Sequence, residues 1–204
     1  MKNLQVFNGL TGINEVYIKE YIKRFKKEND NKLINNNNYL LFIRMNDIYT
    51  NELDDYCFYL DDKKDILLCM RCTTKAGHYY VYNPITYGGI NGTAVLSEGI
   101  YYNSHTVVGT YRFGFYDLEI IQTSPLIIFR DSNRNKKLDR DKKQYGMFGI
   151  NIHTSGLSTI IDRWSAGCLA IYKKEWDWFK NKYLKLGDKF SIELITLEQF
   201  KKKI

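Results

Sequence analysis

The 204-residue chain has little proline, little cysteine and no long apolar run. With 44% hydrophobic residues and only two prolines, the composition excludes an intrinsically disordered polypeptide and favours one well-packed core. Its four cysteines, at positions 57, 69, 72 and 168, are too few and too irregularly spaced for a disulfide framework, so reduced thiols are expected. Because no stretch of about 18 consecutive apolar residues occurs, the sequence predicts no membrane span.

The formal charge of +7 favours an anionic partner, but scattered surface lysines such as those at positions 201–203 supply much of it. Solubility is the simpler explanation, and the sign of the charge does not choose among polyanions. No nucleic-acid recognition motif accompanies the charge, so no nucleic-acid partner is expected. No cofactor is expected either.

Periodicity divides the chain into a short helical beginning and a β-rich remainder. Residues 13–29 place apolar side chains at helical spacing, and an asparagine-rich stretch separates that helix from the rest of the chain. From Tyr39 onward, short apolar or alternating runs predict strands within 39–45, 55–61, 65–74, 78–84, 92–102, 106–121 and 126–131. A helix is predicted over 173–183 and a strand over 188–196. The predicted fold is mainly β (α+β), a sandwich with a short N-terminal helix and a C-terminal helix and strand. The predicted domains are residues 1–38 and 39–204.

The strongest indication of function is a histidine, His153, followed fifteen residues later by a cysteine, Cys168. An ordinary thiol is only a few per cent ionised at neutral pH, so it needs a base such as this histidine to become a nucleophile. The small residues of Ser165-Ala-Gly-Cys allow backbone N–H groups near Gly167 and Cys168 to hold an oxyanion. On a strand, the alternating segment 150–153 places His153 on the face opposite the isoleucines. Asn151, Ser165 or a backbone carbonyl could orient the imidazole.

The segment HTSG…WSAGC resembles the signature of the L,D-transpeptidase catalytic domain, or YkuD family, whose motif is HGxx…SxGC followed by a hydrophobic residue and an arginine. The motif covers about residues 149–171, and the preceding β-rich region suits that family's mainly β fold. The resemblance implies a peptidoglycan-modifying cysteine enzyme, an L,D-transpeptidase or L,D-carboxy- or endopeptidase, that acts on stem peptides through a thioester. It implies that Cys168 attacks a peptide bond at a meso-diaminopimelate or related D-centre and that His153 activates the thiol. Ser165 and Gly167 would shape the turn and the oxyanion site.

Two positions depart from that motif. Ala166 stands where many members have a second histidine, and Ala170 replaces the arginine, which would clamp a carboxylate or brace the pocket. Substrate preference is therefore open, and the segments GINIH and WSAGC are also similar to divergent YkuD-like proteins of gut bacteria (Bacteroidetes-type) and their phages. The N-terminus lacks an apolar stretch of signal-peptide length, which predicts synthesis in the cytoplasm. Lysis, virion delivery or unconventional export would then bring the enzyme to the cell wall.

Five further residues are candidates for substrate binding. His105 follows a strand-like run and is a candidate to line the same cleft, with Tyr102 and Tyr111 offering hydroxyls or apolar walls. A core or surface role is the alternative for the tyrosines, which number seventeen in this chain. Arg112 is a candidate to replace the missing arginine, and Trp164 directly precedes the SxGC turn.

Two motifs resemble metal sites only in part. Residues 131–139 place oxygen ligands as in a calcium loop, but Lys136 replaces the required glycine and Lys142 replaces the bidentate glutamate. A solvated, turn-rich connection is the favoured interpretation. Cys69 and Cys72 form a CxxC within a predicted strand, which would point the two thiols to opposite faces. No metal site is therefore expected.

Two other functions remain open at the level of the sequence. The chain could be a noncatalytic cell-wall-binding or phage structural module that keeps the fold without turnover, as the Ala166 and Ala170 departures allow. It could also be a cysteine peptidase with a protein substrate, because a Cys/His pair is not specific to cell walls. Saturable binding to sacculi without cleavage would favour the noncatalytic module.

Overall fold

The computed structural model describes residues 3–6, 13, 15–28, 38–61, 66–85, 92–112 and 115–204. Within these ranges the helices are α1 (Glu15–Glu28), α2 (His78–Tyr82), α3 (Lys173–Tyr183) and α4 (Leu197–Lys202). The strands are β1 (Asn3–Val6), β2 (Asn38–Arg44), β3 (Asp55–Asp61), β4 (Ile66–Thr73), β5 (Thr93–Leu96), β6 (Gly99–Arg112), β7 (Phe115–Gln122), β8 (Leu126–Asp131), β9 (Lys142–Gly146), β10 (Ile152–Thr154), β11 (Leu169–Ile171) and β12 (Lys189–Thr196).

Eight of these strands form a closed barrel, in the order β4-β11-β10-β7-β6-β12-β2-β3, with β3 pairing back onto β4. The mainly β class is confirmed, but the predicted sandwich is wrong. Closure depends on the two three-residue strands β10 and β11, which bridge β7 to β4. Strands β5, β8 and β9 form a separate three-stranded sheet.

The main hydrophobic core receives side chains from all eight barrel strands and from the apolar face of α3. On α3, Trp176 and Phe179 are buried at the 3.6-residue spacing that brings both to one side of a helix. Burial of an aromatic side chain of this size stabilises a fold by about 2–3 kcal/mol. The agreement of α3 with the predicted helix 173–183 follows from this periodicity, and the strand predicted at 188–196 is confirmed as β12.

A second core lies between α1, α4 and the opposite face of β2, β3 and β4. Ile18 and Ile22 of α1 are buried there, and the Tyr21 hydroxyl donates to the buried Glu193 carboxylate of β12 at 2.6 Å. The segment 1–38, expected to be a helical element, also contains β1, which pairs in parallel with β4. The described part of this segment therefore packs on the barrel and shares its second core.

One predicted strand is wrong. Residues 78–84 alternate well enough to predict a strand, but His78–Tyr82 form the short helix α2. Its turn is closed locally, because the N–H of Val81 donates to the Gly77 carbonyl at 3.2 Å and that of Asn83 to the Tyr79 carbonyl at 2.9 Å. Val81 is the only buried residue of the helix. Its aromatic neighbours are therefore not covered on both faces, as the side chains of a central strand are. Across the described residues, no helix combines the length and apolar character needed to span a membrane.

Candidate active site

The two short strands β10 and β11 bring the candidate histidine and cysteine together. The strands are parallel, with His153 opposite Ala170, and the Leu169 N–H donates to the Asn151 carbonyl at 3.0 Å. This register places Cys168 beside Asn151, two residues before the position opposite His153. Neighbouring strands lie about 4.8 Å apart and rise about 3.3 Å per residue, so the Cα atoms of His153 and Cys168 are separated by roughly 8 Å.

Alternation along the strands determines which face carries the chemistry. Ile150, Ile152, Leu169 and Ile171 all enter the main core. His153 is offset by one residue from Ile152, and Cys168 by one from Leu169, so both side chains belong to the other face. His153 is only partly buried, which agrees with the face predicted for it. The alternating isoleucines thus hold the strand in the register that places His153 on the face away from the core.

A backbone carbonyl orients the imidazole. His153 Nδ1 lies 2.7 Å from the carbonyl oxygen of Thr154. Because a carbonyl can only accept a hydrogen bond, Nδ1 carries the proton, and Nε2 of the neutral ring is then the basic nitrogen. The other two candidates for this role are engaged elsewhere: the Asn151 amide oxygen accepts from the Gln122 N–H at 3.0 Å, and the Ser165 hydroxyl donates to the Cys168 carbonyl.

Cys168 differs from the other cysteines in exposure. It is partly exposed, and its Sγ donates to the Gly149 carbonyl at 3.3 Å. Cys57, Cys69 and Cys72 are buried, and burial raises the pKa of each of these thiols well above its ordinary range. Of the four cysteines, Cys168 is therefore the one placed to act as a nucleophile.

Ser165 and Gly167 shape the turn that precedes the cysteine. The Ser165 hydroxyl donates to the Cys168 carbonyl at 2.8 Å and accepts from the Gly167 N–H at 3.1 Å. Gly167 has a φ of 123°, and a Cβ at this position would overlap the backbone carbonyl of Ala94. The turn therefore requires both residue types. The Gly167 N–H is already engaged by the serine, so its predicted oxyanion role is not supported by this arrangement.

His105 does not line the cleft, which corrects its predicted role in substrate binding. It is fully buried, with Nδ1 2.8 Å from the Ser104 hydroxyl and Nε2 2.8 Å from the Ile150 carbonyl. Burial lowers the pKa of His105 to about 4, so the ring is neutral at physiological pH. With Nε2 donating to Ile150, His105 supports the loop that carries the Gly149 carbonyl.

Gln122 is a site residue that was not predicted from the sequence. Its side-chain nitrogen donates to the carbonyls of Ser124 and Gly146, at 2.9 and 3.0 Å, and its side-chain oxygen accepts from the N–H groups of Phe148 and Ile150, at 3.0 and 3.1 Å. A single carboxamide thus holds the segment leading to the Gly149 carbonyl, which contacts the Cys168 thiol. No local pattern around Gln122 indicates this role, because its partners on that segment lie more than twenty residues away along the chain.

The four remaining substrate-binding candidates are dispersed. Tyr102 and Tyr111 are exposed on β6, which is separated from β10 by β7, so the structure does not bring them to Cys168. Arg112 ends β6, and its side chain lies outside the described residues. Trp164 is half-exposed, and its indole nitrogen lies 2.6 Å from where a Cβ on Gly156 would be. Of these candidates, Trp164 is the one that lies in the loop joining β10 to β11.

Ala170, which stands where the YkuD motif has an arginine, is enclosed by neighbouring strands. Ala170 is fully buried, with His153 opposite it on one neighbouring strand and Thr73 on the other. A larger side chain at this point would have to displace the atoms that now cover Ala170. Ala166, which stands where many YkuD members have a second histidine, is partly exposed in the turn.

The two metal-like motifs lie in different surroundings. In the described residues, no group of three or more His, Cys, Asp or Glu side chains lies close enough to hold a metal ion. Residues 131–139 form the connection from β8 to β9, as predicted, and Asp131 accepts from the Tyr49 hydroxyl at 2.9 Å. Cys69 enters the second core and Cys72 the main core, which confirms that the CxxC thiols point to opposite faces.

No family model, curated protein or solved structure matches this chain. The chemistry therefore rests on the arrangement itself: a partly exposed thiol and an imidazole with a fixed tautomer, on one face of two adjacent strands. A pair of this kind can move a proton from sulfur to nitrogen and return it to a leaving group.

Proposed function

We propose that this protein is a cysteine-dependent acyl-transfer enzyme that modifies peptidoglycan stem peptides, as an L,D-transpeptidase or an L,D-carboxy- or endopeptidase. The observation that carries the proposal is the β10–β11 register, which sets His153 and Cys168 on one face of two adjacent strands. The YkuD-like motif HTSG…WSAGC supports the choice of substrate class. The Thr154 carbonyl supports the catalytic role of the histidine because it fixes the tautomer.

In the resting site, the Cys168 thiol donates a hydrogen bond to the Gly149 carbonyl. In the proposed mechanism, His153 Nε2 takes the proton of this thiol. The thiolate attacks the carbonyl carbon of the scissile peptide bond, and an S–C bond forms as the C–N bond breaks. The imidazolium returns its proton to the departing amine. Water or a second amine then attacks the thioester carbon, and the S–C bond breaks as His153 passes the proton of the attacking group to the departing sulfur; the product is a free acid or a new peptide bond.

Three residues act as positioning residues in this scheme. Ser165 fixes the turn, and Gln122 and His105 hold the segment whose Gly149 carbonyl receives the thiol hydrogen. None of the three touches the reacting atoms directly. Loss of any of them should lower turnover through misplacement of the sulfur, because a small displacement of a catalytic group costs a large factor in rate.

Incubation of the purified protein with muropeptides under reducing conditions, with mass spectrometry of the products, tests the proposal. We expect shortened or cross-linked stem peptides with wild-type protein and none with Cys168→Ala. His153→Ala should lower the rate by a factor of about 100 or more, the usual contribution of a general base. Unchanged muropeptides with wild-type protein would count against the proposal. Saturable binding to sacculi without cleavage, unaffected by Cys168→Ala, would support a noncatalytic wall-binding module instead.

A further inference from the structure

The loop that joins β10 to β11 carries an exposed arginine held against an aromatic ring. The guanidinium carbon of Arg163 lies 4.0 Å from the centroid of the Tyr79 ring, a separation typical of a cation stacked on an aromatic face. Tyr79 belongs to α2, so the arginine is oriented by a different element from its own. Stacking of this kind restrains the guanidinium while leaving its N–H donors available.

Arg163 contrasts with other arginines of the barrel in its charge partners. Arg44, Arg71 and Arg140 each pair with a carboxylate, at 2.7, 3.1 and 2.9 Å. Among the residues that the structure describes, no carboxylate lies within 4.0 Å of the Arg163 guanidinium, and the adjacent Asp162 forms no ion pair with it. The planar fork of the guanidinium, which suits a carboxylate best, is therefore open to a ligand.

The backbone around Arg163 is tied down on both sides. The N–H groups of Ile161 and Asp162 donate to the backbone and side-chain oxygens of Asn51, at 2.9 and 2.7 Å. On the other side, the Ser165 carbonyl accepts from the Gly77 N–H at 2.9 Å, just before α2. Arg163 is thus presented by a preorganised loop, which lowers the entropy cost of binding a ligand.

The same loop leads directly to the nucleophile. Arg163 precedes Cys168 by five residues, which limits the separation of their Cα atoms to about 17 Å. Trp164 lies between them in sequence, half-exposed and packed against Gly156. An extended peptide advances about 3.3 Å per residue, so a substrate bound at Cys168 can reach Arg163 within about five residues.

We infer that Arg163, stacked on Tyr79 and next to Trp164, binds a carboxylate of the peptide substrate at a distance of up to five residues from the bond that Cys168 attacks. The inference rests on the proposed function for the identity of the peptide. It names in addition the chemical group of that peptide, a carboxylate, that the enzyme recognises. A stem peptide with free carboxylates is bound in preference to one whose carboxylates are amidated.

Binding to the Cys168→Ala protein tests this without any turnover. The probes are a synthetic stem tetrapeptide with free carboxylates and the same peptide with each carboxylate converted to a carboxamide, and calorimetry gives both Kd values. The acid form should bind about 3- to 10-fold more tightly, the range for one exposed charge-assisted contact. Adding Arg163→Gln should remove this preference, whereas Arg163→Lys should keep part of it because lysine retains the charge without the fork.

Arg134→Gln is the matched control, because it removes the same charge from an exposed residue in the β8–β9 connection. It should leave the preference for the acid form intact. Equal affinity for the two peptides, a preference that survives Arg163→Gln, or no binding of the acid form at millimolar concentration would each overturn the inference. Cleavage by wild-type protein without an acid preference would remove the inference and leave the proposed function. An acid preference that depends on Arg163, without cleavage by wild-type protein, would support the binding role of Arg163 and contradict the proposed enzymatic function.

Discussion

Gln122 connects the stability of the barrel to the position of the nucleophile, and its removal has two measurable consequences. Its side chain is almost fully buried at the end of β7. It satisfies four backbone groups, the carbonyls of Ser124 and Gly146 and the N–H groups of Phe148 and Ile150. Gln122→Ala removes both ends of the carboxamide at once.

The stability lost in Gln122→Ala depends on how many backbone groups lose their partner and on how deeply these groups are buried. An unsatisfied buried backbone group costs about 1–3 kcal/mol, and partly buried groups recover some of this from water. Of the four, the Ile150 N–H belongs to a residue that is only 2% exposed, so it has the least access to water. We therefore expect Gln122→Ala to lower the free energy of unfolding by about 2–4 kcal/mol, and the Tm by about 5–15 °C for a chain of this length.

The second consequence concerns the cysteine. When the segment 146–150 loosens, the Gly149 carbonyl no longer holds the Cys168 thiol in one direction. The rate of Cys168 alkylation by iodoacetamide, measured under conditions where the variant is fully folded, should therefore change. Gln199→Ala serves as the control because it removes an exposed glutamine from the α4 cap, at a cost of about 1 kcal/mol, without contact to the site.

Urea unfolding and timed alkylation of the same samples give both quantities. A loss of stability below about 0.5 kcal/mol, the range of ordinary surface substitutions, would refute the anchoring role of Gln122. A large loss of stability with an unchanged alkylation rate would refute the connection between the anchored segment and Cys168.

Three further outcomes are expected from the site and its surroundings. Native protein treated with iodoacetamide should be labelled at Cys168 alone, because the three other cysteines are buried; peptide mapping that finds a second labelled cysteine before unfolding would contradict this. Burial lowers the pKa of His105 to about 4, below its value of about 6.5 in an unfolded chain, so the unfolded state takes up the proton first as the pH falls. Stability should therefore decline between about pH 6.5 and pH 4 by up to about 3 kcal/mol, and His105→Gln should flatten that part of the urea-unfolding profile; superimposable profiles would exclude the effect. Gly167→Ala should destabilise by more than about 3 kcal/mol because the new methyl group overlaps the Ala94 carbonyl, whereas Gly187→Ala, also at positive φ but with open space around it, should cost about 1–2 kcal/mol. Equal losses in the two glycine variants, measured by thermal unfolding, would show that steric overlap is not the cause.

Much of the secondary structure could be predicted from local patterns. The helix over 173–183 and the strand within 188–196 agree with α3 and β12, because apolar periodicity reflects which face of an element is buried. The same reasoning placed Cys69 and Cys72 on opposite faces of β4, as the two separate cores confirm. These features depend on residues adjacent in sequence.

Barrel closure could not be predicted in this way. It rests on strands of three residues whose partners are remote, Ile171 with Cys72 and Ile152 with Ile120. In so short a strand, alternation indicates the face that a side chain takes but not the neighbouring strand, which is decided by backbone hydrogen bonds to distant segments. For a related reason, the helix at 78–82 was not predicted: its aromatic and β-branched composition favours a strand, but Val81 is its only buried residue, and a local turn decides its conformation.

For the candidate site, residue types and spacing were sufficient to single out His153 and Cys168 and to place the histidine on the polar face of its strand. Tertiary structure alone decided that β10 and β11 are neighbours, that the Thr154 carbonyl holds the imidazole, and that His105 is buried beneath the loop. Alternation tells which way a side chain points from its own strand, but the neighbour it meets depends on how distant segments pack and pair.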